Sequence, residues 1–281
     1  MRTSTRAALI VGAAALFAGC GGLQPPIGGQ GAMPQSRSHP ASSSYTVLYR
    51  FDRFPNGAHP VAGLTEYNGT LYGTASQGGT KGCHGKQGCG TVFSVTTSGG
   101  EHLLYSFTPF QQGTFPHSGL IDVKGTLYGT TEKGGGGGGT VYSVGPSGTE
   151  TVLHSFHGGK SDGDTPLGGL TVVKHSFYGT TEDGGNSGAG TVYSISAAGA
   201  FVLLHHFKGT PDGSYPNGGL INVHGTLYGT TPFGGSGACN YGCGTVYRGV
   251  PIAAPTRARV PYMSIACFRR LFEFGRSYVV A

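Results

Sequence analysis

The sequence predicts an all-β, β-propeller-like domain of about four four-stranded repeats, each of about 50 residues. Glycine accounts for 55 of the 281 residues, against an ordinary share of about 7%. Long helices are therefore disfavoured, because each interior Gly costs about 1 kcal/mol relative to Ala. Apolar residues make up 37% of the chain, with 15 Tyr and 15 Phe, which is enough for a packed core and argues against disorder. The third observation is an internal repeat.

Four sequence markers recur four times in a constant order. The markers are Tyr-Gly-Thr-Thr (Tyr-Gly-Thr-Ala in the first copy), Gly-Thr-Val-aromatic, Leu-x-x-Phe and Pro-x-x-Gly-Leu. Tyr-Gly-Thr-Thr begins at residues 72, 128, 178 and 228, and Gly-Thr-Val-aromatic begins at 90, 139, 190 and 244. Leu-x-x-Phe begins at 48, 104, 153 and 204, and Pro-x-x-Gly-Leu begins at 60, 116, 166 and 216. Self-similarity at such a period is typical of repeat folds, and four strands in about 50 residues match a propeller blade.

The second repeat shows how each unit predicts four strands. Strands over 120–123 and 126–130 flank Lys124-Gly125, and strands over 140–144 and 151–156 flank a Gly-Pro-Ser-Gly turn. The turn pairs Asn68-Gly69 and His224-Gly225 occupy the position of Lys124-Gly125 in other repeats. Such pairs favour hairpins, because both turn residues need a positive φ.

The phase of the repeats predicts how the domain closes. The pattern opens with a fourth strand over Tyr45–Phe51 and ends on a third strand over Thr245–Gly249. Pairing the first strand into the last unit would close a ring of four blades and cover both sheet edges. Two alternatives remain open, namely an open β-solenoid and a decayed fifth Leu-x-x-Phe strand over Leu271–Phe274.

The N-terminal region predicts export and a lipid anchor. Arg2 and Arg6 precede an apolar run over 7–18 that is too short to span a bilayer stably. The run ends in Leu-Phe-Ala-Gly-Cys, which resembles the bacterial lipobox, so Cys20 is the predicted lipidation site. Ordinary secretory cleavage near Gly19 is the alternative. We expect a signal peptide over 1–19, a flexible tether over 20–44, the repeat domain over 45–249 and an atypical basic tail over 250–281, with the lipid holding the protein at a bacterial envelope membrane.

The charge distribution argues against a nucleic-acid partner. The whole chain carries a net charge of +6, but Arg2, Arg6 and five arginines of the tail account for the excess. Residues 20–256 have equal numbers of acidic and basic side chains. A nucleic-acid-binding domain should instead carry a basic patch on its fold.

The repeats resemble the GloVer-type repeats of the bacterial "choice-of-anchor" tandem repeat proteins. The resemblance rests on Gly-x-Leu-Tyr-Gly-Thr-Thr, the Gly-rich loop after it and Gly-Thr-Val-Phe/Tyr, and it covers about residues 45–249. It implies an exported, surface-held protein whose anchor varies between members, here the lipobox. It implies no particular reaction and no catalytic residues.

The cysteine pattern predicts two local disulfides. Cys83 and Cys89 lie in the Gly-rich loop of the first repeat, and Cys239 and Cys243 lie in the same loop of the fourth. In an oxidising compartment neighbouring thiols pair, so we expect Cys83–Cys89 and Cys239–Cys243. Zinc is the alternative, although neither spacing is typical of a zinc site. With Cys20 lipidated, Cys267 remains unpaired.

Most other polar features have a structural interpretation, so we predict no catalytic residue, metal or cofactor. Histidines at 154 and 205 occupy a position that is Tyr in other repeats, which indicates a tolerant strand surface position. Asp162 and Asp164 fit turn chemistry. The glycines over 134–139 are followed by a strand and by no Gly-Lys-Ser/Thr, unlike a phosphate loop. The Tyr of Tyr-Gly-Thr-Thr recurs in every unit, as core packing between blades requires.

The sequence favours a non-catalytic envelope module used for binding or scaffolding, with a glycan or a protein as ligand. The candidate binding loops are 76–89, 182–189 and 232–243, and the loop over 132–138 offers few side chains. The candidate binding residues are Lys81, His84, Lys86, Asn240 and Tyr241. One alternative is a polysaccharide-acting propeller enzyme, for which the first repeat is the best location. The other is a structural spacer in the envelope.

Overall fold

A computed structural model describes residues 45–52, 54–83, 87–109 and 112–251, and the compact unit that holds the repeats begins at Thr46. Cys20, His84, Lys86 and Cys267 lie outside the described residues, as do the expected signal peptide, the whole tether over 20–44 and nearly all of the tail. In the described ranges we find no helix with the length and apolar character needed to cross a membrane. The chain there consists of strands, turns and irregular segments, as the Gly content predicts.

The described residues contain short strands at regular intervals. Their bounds are β1 Thr65–Tyr67, β2 Thr70–Ala75, β3 Thr91–Thr96, β4 Glu101–Ser106, β5 Ile121–Val123, β6 Thr126–Thr131, β7 Gly134–Gly135, β8 Gly138–Val144, β9 Glu150–Ser155, β10 Gly163–Asp164, β11 Thr171–Val173, β12 Ser176–Thr181, β13 Asp183–Gly184, β14 Thr191–Ser196, β15 Phe201–His206, β16 Ile221–Val223, β17 Thr226–Thr231 and β18 Thr245–Pro251.

The strands form one antiparallel sheet for each sequence repeat, which confirms the all-β, propeller-like prediction. Blade 1 has the order β1-β2-β3-β4, and blade 3 has the order β11-β12-β14-β15. Blade 2 has the order β5-β6-β8-β9, with the short β7 added parallel to β8. Blade 4 has only β16-β17-β18 in the described residues. The short β10 and β13 pair with each other beside blade 3.

The first hairpin of each blade forms at the turn that the sequence predicts. In blade 2 the turn residues Lys124 and Gly125 have φ values of 55° and 84°, and this left-handed conformation matches the twist of a two-residue hairpin. The Asp122 side chain accepts a hydrogen bond from the Gly125 backbone N–H at 2.9 Å. Turn and cap together fix the register of β5 on β6, and with it which side chains face the neighbouring blade.

The core lies between successive blades and is built from edge-on aromatic pairs. Phe107 from the fourth strand of blade 1 meets Tyr142 of blade 2 with ring centroids 5.0 Å apart. The same pairing joins Phe156 to Tyr193 at 5.2 Å, and a further copy joins blade 3 to blade 4. Edge-to-face rings at this distance are favourable beyond the apolar area they bury. Each blade therefore completes its core with the next one.

The Gly of Tyr-Gly-Thr-Thr is required by the same packing. A Cβ on Gly129 would lie 2.7 Å from the Tyr142 hydroxyl, and one on Gly73 would lie 2.7 Å from the Phe93 ring. The third-strand ring therefore lies directly over the second strand of its own blade, where only Gly leaves room.

Threonine hydroxyls connect the blades at a second level. Thr74 donates to the Ser118 carbonyl at 2.9 Å, and Thr180 donates to the Gly218 carbonyl at 3.0 Å. Both threonines are fully buried, and each accepting carbonyl lies in the connector to the next blade. Buried polar groups need such partners, so these bonds fix how one blade sits on the next.

The prediction that the first strand closes the ring is wrong for the described residues. Residues 46–51 form no strand, and Phe51 packs edge-on against Phe93 of blade 1 at 4.9 Å. The segment thus lies on blade 1 in the way that β4 lies on blade 2. Aromatic packing holds it there, and no described strand pairs with the outer edge of β18.

Exposure of the two end blades agrees with this correction. Val246 on β18 is 82% exposed, whereas its counterpart Val192 in blade 3 is 3% exposed. Leu64 of blade 1 is 55% exposed, whereas its counterpart Leu220 in blade 4 is 4% exposed. Both residue types are core residues wherever a neighbouring blade covers them.

The interpretation of His154 as a strand surface position is wrong, whereas the His205 side chain is 40% exposed on β15. The His154 ring stacks on Phe201 of the next blade at 3.9 Å, and its Nε2 lies 3.1 Å from an Asp162 carboxylate oxygen. His205 has the equivalent contact with Asp212 at 3.0 Å. The position lies at a blade junction, and Asp162 also accepts backbone N–H groups as turn chemistry predicts.

A carboxyl group is enclosed at the junction of blades 1 and 2. Burial raises the pKa of Glu150 to about 7, while the neighbouring Tyr105 hydroxyl has a smaller lowering effect. Such a carboxyl binds its proton more tightly in the folded chain than in the unfolded chain. Its contribution to stability is therefore full below the unfolded pKa near 4.5 and is lost as pH rises through about 7.

Replacing Phe156 tests the blade-to-blade core. Phe156 is fully buried, and removing its ring leaves a cavity between blades 2 and 3. Phe156→Ala should lower the free energy of unfolding by about 3–5 kcal/mol, measured by denaturant unfolding. Val202→Ala, at a position 54% exposed, is the matched control and should change it by less than about 0.5 kcal/mol. Equal losses would contradict a core between blades.

Replacing Glu150 tests the enclosed carboxyl. The wild-type free energy of unfolding should fall between pH 5 and pH 8, because Glu150 must ionise in a buried position. Glu150→Gln should reduce that fall, and its advantage over the wild type should grow with pH. Asp52→Asn, at an exposed position outside the strands, is the control and should follow the wild type. An unchanged pH dependence in Glu150→Gln would refute the assignment.

Candidate functional site

One backbone pairing recurs in all four blades and defines a common surface. In each blade, the residue two positions after the second strand pairs with a residue of the preceding connector. The pairs are Ala58 with Gln77, Thr114 with Lys133, Asp164 with Asp183, and Ser214 with Phe233. We call these four pairs and the Gly-rich loops beside them the loop face.

Threonine pairs in blades 2–4, with Ala75 and Thr91 in their place in blade 1, lie beneath the connector glycines and support the loop face. In blade 2 the hydroxyls of Thr131 and Thr140 lie 2.8 Å apart, and the equivalent threonines of blades 3 and 4 are 2.7 and 2.8 Å apart. The connector passes directly above, since a Cβ on Gly113 would lie 2.6 Å from the Thr140 hydroxyl oxygen. Gly113 has a φ of 95°, so this position requires Gly for both space and conformation.

The side chains of the four loop-face pairs differ from blade to blade, and those in blades 2 and 3 include charged groups. The Lys133 ammonium lies 2.7 Å from the Thr165 hydroxyl oxygen and 3.5 Å from an Asp164 carboxylate oxygen. Burial raises the pKa of Asp183, Asp164 raises it further, and Lys133 opposes both. Burial likewise raises the pKa of Glu182. The result is an acidic patch around one lysine.

Blades 1 and 2 form an open, polar recess on the loop face. Its volume is about 320 Å³, and it is lined by Gln77, Gln87, Phe115, His117, Glu132 and Lys133. His117 Nε2 lies 3.0 Å from a Glu132 carboxylate oxygen. Glu132 and Lys133 thus each have a polar partner within the protein, the His117 imidazole and the Asp164 carboxylate. The recess therefore offers amide and imidazole hydrogen-bonding groups together with an aromatic ring.

A second cavity lies beside this recess but offers less chemistry. Its volume is about 450 Å³, and it is lined by Gly82, Cys83, Pro109, Thr114 and Gly134–Gly137. Backbone dominates its wall, so it has few side chains with which to select a ligand. The first two glycines of the run form β7 and pair with β8, as expected for a segment that leads into a strand.

Blade 4 presents aromatic rings instead of charges. Tyr215 and Phe233 meet edge-on at 6.0 Å and are each about two-fifths exposed. Tyr241 is 86% exposed on the loop closed by the Cys239–Cys243 disulfide. Partly exposed rings on a shared surface are typical of recognition sites.

The two disulfides have different settings. Cys83 and Cys89 are bonded, buried and part of the apolar cluster between blades 1 and 2. Cys239 and Cys243 are bonded but exposed. The first bridge belongs to the core, and the second shapes a surface loop. In the described residues no group of three or more His, Cys, Asp and Glu side chains is placed to bind a metal ion.

The sequence-predicted binding residues are spread over the loop face. Lys81 places its ammonium 5.5 Å from the Phe54 ring centre, a cation–π contact in blade 1. Asn240 and Tyr241 are exposed on blade 4. The structure does not bring these residues into one site, and His84 and Lys86 have no described position.

Sequence reasoning missed the recess and underestimated the loop of the second repeat. Glu132 and Lys133 come from that loop, which we expected to offer few side chains. Asp164, which we assigned to turn chemistry, also pairs with Lys133. A sequence rule could have indicated these pairs. The residue two positions after each Tyr-Gly-Thr-Thr, such as Lys133, pairs with the residue that follows the Gly of the preceding connector, such as Thr114 after Gly113.

The comparison with known families concerns the repeat. The Gloeobacter/Verrucomicrobia repeat family matches residues 29–247, so the chain belongs to that family. No curated protein matches the chain.

Solved structures show only a distant likeness. A luciferin-regenerating enzyme is 15% identical with a TM-score of 0.38, and the match covers 68% of this chain and 59% of that one. A GH43 β-xylosidase/α-arabinofuranosidase from a compost microbial metagenome is 11% identical with a TM-score of 0.35, covering 70% and 78%. An α-L-arabinofuranosidase from Clostridium thermocellum is 12% identical with a TM-score of 0.30, covering 68% and 67%. Likeness at this level gives no information about activity.

Proposed function

We propose that the protein is a non-catalytic binding module of the bacterial cell envelope that recognises a neutral glycan through its loop face. The recess between blades 1 and 2 is the observation that carries the proposal. It combines Gln77, Gln87 and His117 with the Phe115 ring in about 320 Å³. Preformed recesses with a few polar groups and an aromatic wall are typical ligand sites.

The charge pattern favours a neutral, hydroxyl-rich ligand. Glu132 already faces His117, and Lys133 already faces Asp164, so a charged ligand would have to displace an internal partner. Amide and imidazole groups both donate and accept hydrogen bonds, as sugar hydroxyls do. The acidic patch beside the recess disfavours nucleic acid, whose phosphates need Lys and Arg.

Variation between blades supports binding over a purely structural role. The Thr pair, the connector Gly and the aromatic junction recur from blade to blade. The residues on top of them change from charged in blades 2 and 3 to aromatic in blade 4. The loop face therefore varies in the kind of side chain it offers, as a surface that recognises a ligand would.

Binding can be tested with the chain from residue 20 onward carrying Cys20→Ser, applied to an array of glycans and cell-wall fragments. We expect a specific neutral-glycan ligand, and Gln77→Ala with His117→Ala should weaken its affinity about tenfold or more, since each lost hydrogen bond is worth about 1 kcal/mol. Lys174→Ala, in the exposed turn between β11 and β12, is the control and should bind normally.

The outcomes of that experiment separate the proposed roles. If the variant with both Gln77→Ala and His117→Ala bound the glycan with wild-type affinity, the ligand would bind elsewhere and the recess would be rejected as the site. A folded protein without any glycan ligand would reject the proposal and favour a protein partner or a structural role. Release of shorter sugars from a bound glycan would favour the polysaccharide-acting enzyme instead.

The envelope location rests on the lipobox and is tested separately. We expect Cys20 to carry a lipid, so intact protein should partition into the detergent phase, with the added mass on residue 20 by mass spectrometry. Cys20→Ser should move the protein to the aqueous phase, whereas Cys267→Ser should not. An unmodified Cys20, or cleavage near Gly19 without lipid, would refute lipid anchoring. The two disulfides fit an exported protein.

A further inference from the structure

Every internal blade junction repeats the same three contacts. We call the face of a blade that packs on the next blade along the chain its trailing face, and the face that packs on the preceding blade its leading face. The trailing face presents the Val of Gly-Thr-Val and the Tyr of Tyr-Gly-Thr-Thr. The leading face of the next blade presents the Leu of Pro-x-x-Gly-Leu. At the junction of blades 3 and 4, Tyr178, Val192 and Leu220 belong to one buried cluster. Thr180 then donates to the Gly218 carbonyl.

Blade 4 has the same Tyr and Val face, and no described residue of the chain covers it. A recess of about 170 Å³ is lined by Gly219, Ile221, Tyr228, Gly229, Thr230 and Val246. Thr230 is exposed, whereas its counterpart Thr180 is fully buried. In the described residues β18 pairs only with β17, so its outer edge also lacks the fourth strand that blades 1–3 have.

Blade 1 has the matching leading face, also uncovered by the described residues. Leu64, the counterpart of Leu220, is 55% exposed, and Val61 beside it is exposed as well. The carbonyl of Ala62 occupies the sequence position of the Gly218 carbonyl that accepts from Thr180. Residues 46–51 have the Leu-x-x-Phe pattern of a fourth strand but form no strand in the described residues, and Phe51 packs on Phe93 of this blade.

We propose that two copies of this chain join head to tail, with blade 1 of one copy docking on blade 4 of the other. Leu64 of the second copy enters the recess lined by Tyr228 and Val246, and Thr230 donates to the Ala62 carbonyl of the second copy. Residues 46–51 of the second copy pair with the outer edge of β18 and complete blade 4.

Continuity with the internal junctions identifies a second copy as the occupant. One chain carries both halves of a contact that it already makes three times internally, so no new complementarity is required. Adding a strand to an exposed edge satisfies backbone groups in register. Because the two faces differ, the contact is heterologous, and it closes into a ring or continues as a chain of copies.

The first test measures the mass of the chain from residue 20 onward by light scattering over a range of concentrations. Cys20→Ser and Cys267→Ser are included in every sample to exclude lipid and chance disulfides. We expect assemblies of at least two copies at high concentration. Val246→Lys should abolish them, since it places a charge in the recess at a position where the single chain leaves the side chain 82% exposed. Val202→Lys, 54% exposed on β15, should assemble like the parent chain.

The second test identifies the joined surfaces. Leu64→Cys in one chain and Val246→Cys in another are mixed and treated with a short thiol crosslinker. A product with the mass of two chains that contains one of each variant is expected, while Val202→Cys with Leu64→Cys should give none.

Three results would overturn the proposal. The parent chain could remain a monomer at every concentration. Val202→Lys could disrupt assembly as strongly as Val246→Lys. A single chain carrying both Leu64→Cys and Val246→Cys could crosslink within itself at monomer mass, which would assign the two faces to each other within one molecule.

Discussion

The edge-on aromatic contact between neighbouring blades is the interaction on which the rest of the structure depends. Individual sheets are small, and blade 4 has only three described strands. A single repeat unit of this kind cannot bury its hydrophobic face alone. The Phe107–Tyr142 and Phe156–Tyr193 pairs place that surface between sheets, so stability is shared along the repeats. The same contact explains why Gly is required at positions 73 and 129, because a side chain there would collide with the third-strand ring of the same blade.

This arrangement separates structure from recognition within a single repeat. The aromatic rings and the paired threonines occupy the interior and are nearly constant. The loop face rests on them but contributes little to the core, so its residues differ between blades at small cost in stability. The charged residues around Lys133 and the rings of Tyr215 and Phe233 show how far these positions have diverged. Positions of this kind, held by a rigid scaffold, commonly carry binding functions.

The fold was largely predictable from the sequence because the repeat gives each local signal four times. Turns such as Lys124-Gly125 and the local disulfides depend on residues close together in the chain, and the structure contains them. Ring closure depends on how successive sheets are oriented, which no local signal specifies. The Lys133–Asp164 pair was missed for a related reason, since the connector that brings these residues together separates them by about 30 positions. His154 was misassigned because a junction between blades resembles a strand surface in a single sequence.

Amide hydrogen exchange, measured on the monomeric chain at low concentration, tests most directly the claim that each blade depends on its neighbour. The account predicts strong protection in β12 and β14, which have a blade on either side, and faster exchange in β17 and β18, whose trailing face no described residue covers. Protection depends on the free energy of local opening, so an end blade should open first. Equal protection of β14 and β18 in the monomer would contradict the account, because it would show that a blade holds its structure without a neighbour on its trailing face.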